Sequence, residues 1–116
     1  MDSVAQKYRI IDRHALKAKL DGKETFHLWN VLKPESYKPE SNIPGSKWVP
    51  VDRLTETFAA EKARKDSFFV VYCAGPTCTS SRQAAEGLLS LGCTNVSIYE
   101  GGLKDWSEAG FPLVKL

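Results

Sequence analysis

The chain has no strong excess of either charge, no long apolar run and no even set of cysteines. Each absence removes a class of function. Sixteen basic and fourteen acidic side chains leave a net charge of only +2, and the lysines are scattered, so no nucleic-acid partner is expected. No apolar stretch approaches the roughly 20 residues that membrane crossing needs, so no membrane partner is expected either. The first residues, Met1-Asp-Ser-Val-Ala-Gln-Lys-Tyr8, lack the apolar core of a secretion signal, which makes the cytoplasm the expected location. Three cysteines, Cys73, Cys78 and Cys93, are an odd number and a poor disulfide framework in a reducing compartment, so a structural disulfide is not expected. His14 and His27 lie far from the cysteine pair with no finger-like spacing, and no metal site is expected. There is no internal repeat, no linker and no low-complexity tract.

What the chain does have is one well-defined strand, loop and helix. Phe68 to Tyr72 is an uninterrupted apolar run of aromatic and β-branched residues, the pattern of a strand buried on both faces of a parallel sheet. Ala74-Gly75-Pro76-Thr77 then breaks it with turn-forming residues. From about Thr79, the apolar positions Ala84, Ala85, Leu88 and Leu89 recur at helical spacing, and Gly92 stands where a helix C-cap glycine belongs. Cys73 therefore sits just past the carboxyl end of a central strand, in a loop entering a helix N-terminus. Ligands of open α/β sheets bind at that edge.

The remainder fits around this unit. Tyr8 to Ile11 predicts a short first strand, and Asp12 caps a helix through Leu20 that ends at Asp21-Gly22. Thr25 to Val31 predicts a second buried strand. Lys33 to Tyr37 opens a helical turn with Pro34 near its start, and Lys38 to Ser46 is loop. Lys47 to Val49 predicts a brief third strand, ended by Pro50. Asp52 is expected to cap a long helix reaching about Lys65, with Leu54 and Phe58 facing inward and a solvated charged face outward. Val96 to Tyr99 predicts the fifth strand, Glu100 to Gly102 a turn, and Leu103 to Ala109 a short helix carrying Trp106. Alternating strands and helices predict one α/β domain, residues 1–116, with a mostly parallel five-stranded sheet flanked by helices on both faces. A chain of 116 residues can bury roughly two-thirds of its unfolded surface around such a core.

The loop chemistry follows from its position. A helix N-terminus lowers a cysteine pKa from about 8.5 and enriches the thiolate. Backbone amides from Gly75 to Ser80 form a candidate cradle for a thiolate, a persulfide or an oxyanion. The hydroxyls of Thr77, Thr79, Ser80 and Ser81 add donors, and Arg82 in the first helical turn supplies a formal positive charge. The competing reading is that a strand-end cysteine simply packs in the core. Cys93, which follows the helix C-cap in Leu91-Gly-Cys-Thr94, is read as filler.

Several marks together resemble a known family. Val70-Val-Tyr-Cys73, Ala84-Ala85, Leu88, Leu91-Gly92, Asn95-Val96, Tyr99-Glu-Gly-Gly102, Trp106 and Ala109-Gly-Phe-Pro112 resemble the second half of a single-domain rhodanese. Upstream, Ile43-Pro-Gly-Ser46 followed by Val49-Pro50 is similar to that family's Ile-Pro-Gly-Ala loop. The resemblance implies a five-stranded parallel sheet and a sulfurtransferase activity. In that activity a loop cysteine, here Cys73, takes a sulfane sulfur from a donor such as thiosulfate. Its persulfide then passes the sulfur to cyanide or a thiol, with a protein-borne persulfide as another conceivable partner and no metal or organic cofactor.

The resemblance is incomplete at four places. The loop reads about two residues longer than the usual one. Relatives with longer loops that act on phosphate or arsenate read cysteine, five residues, arginine, which would put Thr79 at the arginine place. Arg82 comes three residues later, so a bidentate phosphate clamp is disfavoured. Asn30 and Leu32 stand where the family usually has an acid and an arginine, and Asn42 stands where a histidine usually precedes Ile-Pro-Gly. These three are expected to support the loop from outside. Finally, Cys78 lies inside the loop, where it could form a local disulfide with Cys73, resolve a persulfide or sulfenic acid, or only pack. Two other functions therefore stand beside sulfur transfer: a thiol redox protein cycling Cys73 and Cys78, and a non-catalytic binding module. Because Ala74 to Ser80 carries no charge, a strong preference for a dianionic donor is not expected.

Overall fold

The computed structural model describes residues 8–116, so the N-terminal stretch read for a secretion signal lies almost wholly outside the described residues. Five strands form one sheet: β1 (Arg9–Ile10), β2 (His27–Asn30), β3 (Lys47–Trp48), β4 (Phe68–Tyr72) and β5 (Asn95–Tyr99). Their spatial order is β1-β5-β4-β2-β3, and every pairing is parallel. The central strand β4 runs beside β2 with Asn30 opposite Tyr72, and beside β5 with Tyr99 opposite Tyr72. All carboxyl ends thus meet at one edge, the edge that carries Cys73.

Side-chain alternation divides the core. Phe69 and Val71 of β4, with Val96 and Ile98 of β5, face Leu54 of α2 (Leu54–Ala60) and Ala84, Ala85 and Leu88 of α3 (Ser80–Ser90). Val70 and Tyr72, with Leu28 and Tyr99, face Leu16 of α1 (Arg13–Asp21) and Trp106 of α4 (Gly102–Glu108). The fold is a three-layer α/β sandwich. Both faces of β4 are covered, which is why the strand reads as a continuous apolar run. Each fully buried aromatic or aliphatic side chain here contributes about 1.5–3 kcal/mol relative to exposure.

Most local signals operate as expected. Asp12 caps α1 by accepting the Ala15 amide at 2.8 Å. Gly92, at φ +96°, ends α3 with its amide on the Leu89 carbonyl and the Cys93 amide on that of Leu88, a Schellman closure. Two expectations need correction. Asp52 caps no helix: it lies in a 3-10 turn over Val51–Arg53 that carries no side-chain cap, and α2 begins only at Leu54. The helix also stops at Ala60 rather than near Lys65. Lys62 adopts φ +54°, while the Lys62 and Ala63 amides turn back onto the Ala59 and Phe58 carbonyls. A lysine here occupies the place usually given to glycine, so no glycine marks the stop.

Candidate active site

Cys73 follows β4 directly and is 1% exposed. Pro76 and Thr77 occupy the two central positions of a β-turn closed by the Cys78 amide on the Gly75 carbonyl, 3.1 Å, a placement that suits proline's fixed φ. This turn folds Cys78 back over Cys73. The two are joined as a disulfide, with Cα atoms 6.4 Å apart, inside the range that a disulfide accommodates. This is the local disulfide that the position of Cys78 inside the loop left open. The bond is a local clasp within one loop, not a framework linking distant elements, so the odd cysteine count did not bear on it. Cys93 is the free cysteine and is fully buried. Burial pushes its thiol up, a shift that Lys65 partly offsets.

The loop is braced from below by α4. The amides of Leu103 and Lys104 donate to the carbonyls of Cys73 and Ala74, at 3.0 and 2.8 Å. This close approach depends on Gly102, at φ +61°. A Cβ there would strike the Cys73 carbonyl oxygen and lie 2.8 Å from both the Ala74 carbonyl carbon and the Gly75 nitrogen. From the sequence, Gly102 is expected as part of a turn and of the rhodanese resemblance, not as a brace of the loop. The signal that could have found it is the Gly101-Gly102 pair directly after a strand beside the loop, a pattern that marks close backbone approach.

The predicted substrate-binding residues do not converge on one site. Cys78, Gly75, Pro76, Ser81 and Arg82 line a small recess with Ile98 and Glu100. Ser80 instead faces a separate cleft of about 400 Å³, which it lines with Lys33, Pro34, Val51, Asp52 and Gln83. Ala74, Thr77 and Thr79 are exposed, and Thr79 occupies the N-cap position of α3 without capping through its hydroxyl. Of the expected amide cradle, the Cys78 amide is already engaged in the turn. Glu100 is the residue that sequence reasoning missed. It follows Tyr99 at the end of β5, the strand next to β4, and brings an acid to the recess that holds Arg82.

Of the three departures outside the loop, Leu32 is buried in the core and the two asparagines pair. Asn30 and Asn42 are both fully buried, and the Asn30 amide donates to Asn42 Oδ1 at 2.6 Å. Asn30 Oδ1 accepts the Leu32 amide at 2.9 Å, and Asn42 Nδ2 donates to the carbonyls of Lys38 and Pro39. Two positions where the family usually has an acid and a histidine thus carry a neutral pair, bonded to each other and to nearby backbone.

A family model described as the rhodanese-like domain matches residues 12–109, from the α1 cap through α4. The chain belongs to that family. It is 32% identical over 123 residues to thiosulfate/3-mercaptopyruvate sulfurtransferase 2 of Arabidopsis thaliana, covering 92% of this chain and 32% of that protein. The chain therefore spans about a third of that relative's length. The rhodanese-like domain of an Anabaena sp. protein is 30% identical at a TM-score of 0.77, covering 95% of this chain and 81% of that one. A thiosulfate sulfurtransferase from Pseudomonas aeruginosa is 25% identical at a TM-score of 0.79, covering 93% of this chain and 20% of that one. Among the described residues of this rhodanese-like chain, no helix is long and apolar enough to cross a membrane.

Proposed function

We propose that this rhodanese-like domain, residues 1–116, is a sulfurtransferase that carries a sulfane sulfur on Cys73. The observation that carries the reading is the placement of Cys73 at the carboxyl end of the central strand, in a loop that enters α3. Family membership and the sulfurtransferase relatives support it. The loop must first be opened, because a disulfide sulfur is no nucleophile. In the reduced chain the Cys73 thiolate attacks the outer sulfur of a donor such as thiosulfate; the donor S–S bond breaks, sulfite leaves with its electron pair, and a Cys73 persulfide remains. Loop amides and the α3 N-terminus stabilise the charge as it moves. Cyanide or a thiol then takes the outer sulfur and returns the Cys73 thiolate.

The deciding measurement is intact mass of the reduced Cys78→Ser chain after thiosulfate. It should gain one sulfur atom, and a further Cys73→Ser replacement should abolish both that gain and thiocyanate formation from cyanide. Thiocyanate turnover that survives Cys73→Ser would falsify the assignment.

The Cys73–Cys78 disulfide favours one second reading, a protein that exchanges dithiol and disulfide without carrying sulfur. Mild oxidation of the reduced chain would then remove two thiols within one chain, while no donor would add sulfur to either cysteine.

A further inference from the structure

The geometry points to Cys78 as a built-in acceptor: it expels the sulfur carried by Cys73 as hydrosulfide and leaves the loop closed. The activity is dithiol-dependent release of sulfide from a sulfane-sulfur donor, and it rests on the Cys73 persulfide proposed above.

Three observations converge. First, Cys73 is 1% exposed whereas Cys78 is only partly buried and lines the recess above. An external thiol must therefore pass the one thiol already there. Second, the Gly75–Cys78 turn places the Cys78 sulfur on the Cys73 sulfur itself. That is the inner atom of a persulfide, not the outer one. Third, Cys93 is buried beyond the far end of α3, among the core residues, so the exchange has a single internal partner. A thiol held in a short loop acts at an effective concentration well above that of a free thiol in solution.

The step balances. The Cys78 thiolate forms a bond to Cys73 Sγ, the bond from Cys73 Sγ to the outer sulfur breaks, and hydrosulfide leaves with that electron pair and the persulfide proton. The sulfane sulfur gains two electrons, and the two cysteine sulfurs lose two in forming the disulfide. A dithiol reductant then attacks the accessible Cys78 sulfur and expels the Cys73 thiolate. Its second thiol closes on the mixed disulfide to free Cys78. Per cycle, one sulfane sulfur and one dithiol become one hydrosulfide and one disulfide.

The test uses reduced, desalted chain without oxygen or added thiol, given one equivalent of thiosulfate. Wild type should release one hydrosulfide per chain and end two hydrogens lighter than the reduced chain, with the bond mapped to Cys73–Cys78. Cys78→Ser should keep the added sulfur and release none. With excess dithiothreitol, sulfide production by Cys78→Ser should fall more than about tenfold below wild type. Wild type that holds its persulfide as the variant does overturns the proposal, as does added sulfur mapped onto Cys78. If neither chain takes up sulfur, the sulfurtransferase reading has failed and this inference falls with it.

Discussion

Two connections leave the sheet at the same edge and differ in how far side chains hold them. The loop after β4, residues 73–79, is fixed through its backbone by the amides of Leu103 and Lys104 on the Cys73 and Ala74 carbonyls. The connection from β2 to β3, residues 31–46, combines a main-chain bridge between Asn42 and Val114 with buried side-chain ties. The Asn30–Asn42 pair, the Tyr72 hydroxyl on Ser46 and the Trp48 indole on the Leu32 carbonyl pin it from within. Backbone bracing leaves the side chains of the first loop available for sulfur chemistry. It is also indifferent to their identity, except where a Cβ would intrude. The side-chain ties make the second connection sensitive at several buried polar atoms.

The comparison breaks most severely at Gly102. Gly102→Ala forces a side chain into the backbone of the sulfur loop and costs about 1 to 2 kcal/mol for the left-handed conformation alone. The brace must shift, and with it Cys73. Sulfur loading should fall on the order of 100-fold, the scale on which small displacements of reacting groups act. Turnover within twofold of wild type in the folded variant would show that α4 does not position the loop.

Asn42→Ala should act on the other connection and in the other currency. It leaves the buried Asn30 amide without its acceptor, at a cost of about 1 to 3 kcal/mol, which is read as a lower urea midpoint. Sulfur loading per folded chain should stay close to wild type. A large loss of loading at undiminished stability would mean that the two connections are coupled after all.

The contrast also explains what the sequence disclosed. Elements set by side-chain pattern were legible: the Phe68–Tyr72 run, the Asp12 cap, the Gly92 stop and the cysteine placed between them. The end of α2 was not, because a lysine at positive φ ends it. The bracing of Cys73 was also hidden, since main-chain hydrogen bonds leave no mark on side-chain identity apart from the glycine they require. Asn30 and Asn42 were noticed singly as departures, but their pairing spans a loop that pattern cannot fold. The opposite destinations of Ser80 and Arg82 depend on what flanks α3, which is likewise invisible from the helix itself.

The mildest test singles out the phenol that ties the second connection to β4. Tyr72 donates to Ser46 Oγ at 2.8 Å and accepts the Ile43 amide at 3.3 Å, so Tyr72→Phe should cost about 1 kcal/mol at neutral pH. Burial pushes the Tyr72 hydroxyl from its ordinary value up to about 12, opposed in part by the Ser46 and Ile43 contacts. The folded chain therefore holds this proton more tightly than the unfolded chain, whose tyrosine ionises near pH 10. Stability from the neutral phenol is complete below about pH 10 and is lost as pH rises toward about 12, by up to roughly 2 to 3 kcal/mol. Tyr99, also pushed up by burial, is present in both proteins and cancels in the difference. Urea midpoints at about pH 9 should favour wild type, and the order should reverse as pH approaches 12. A wild-type advantage that is constant across this range would place the ionising tyrosine elsewhere and leave the Tyr72 hydroxyl as a simple hydrogen-bonding strut.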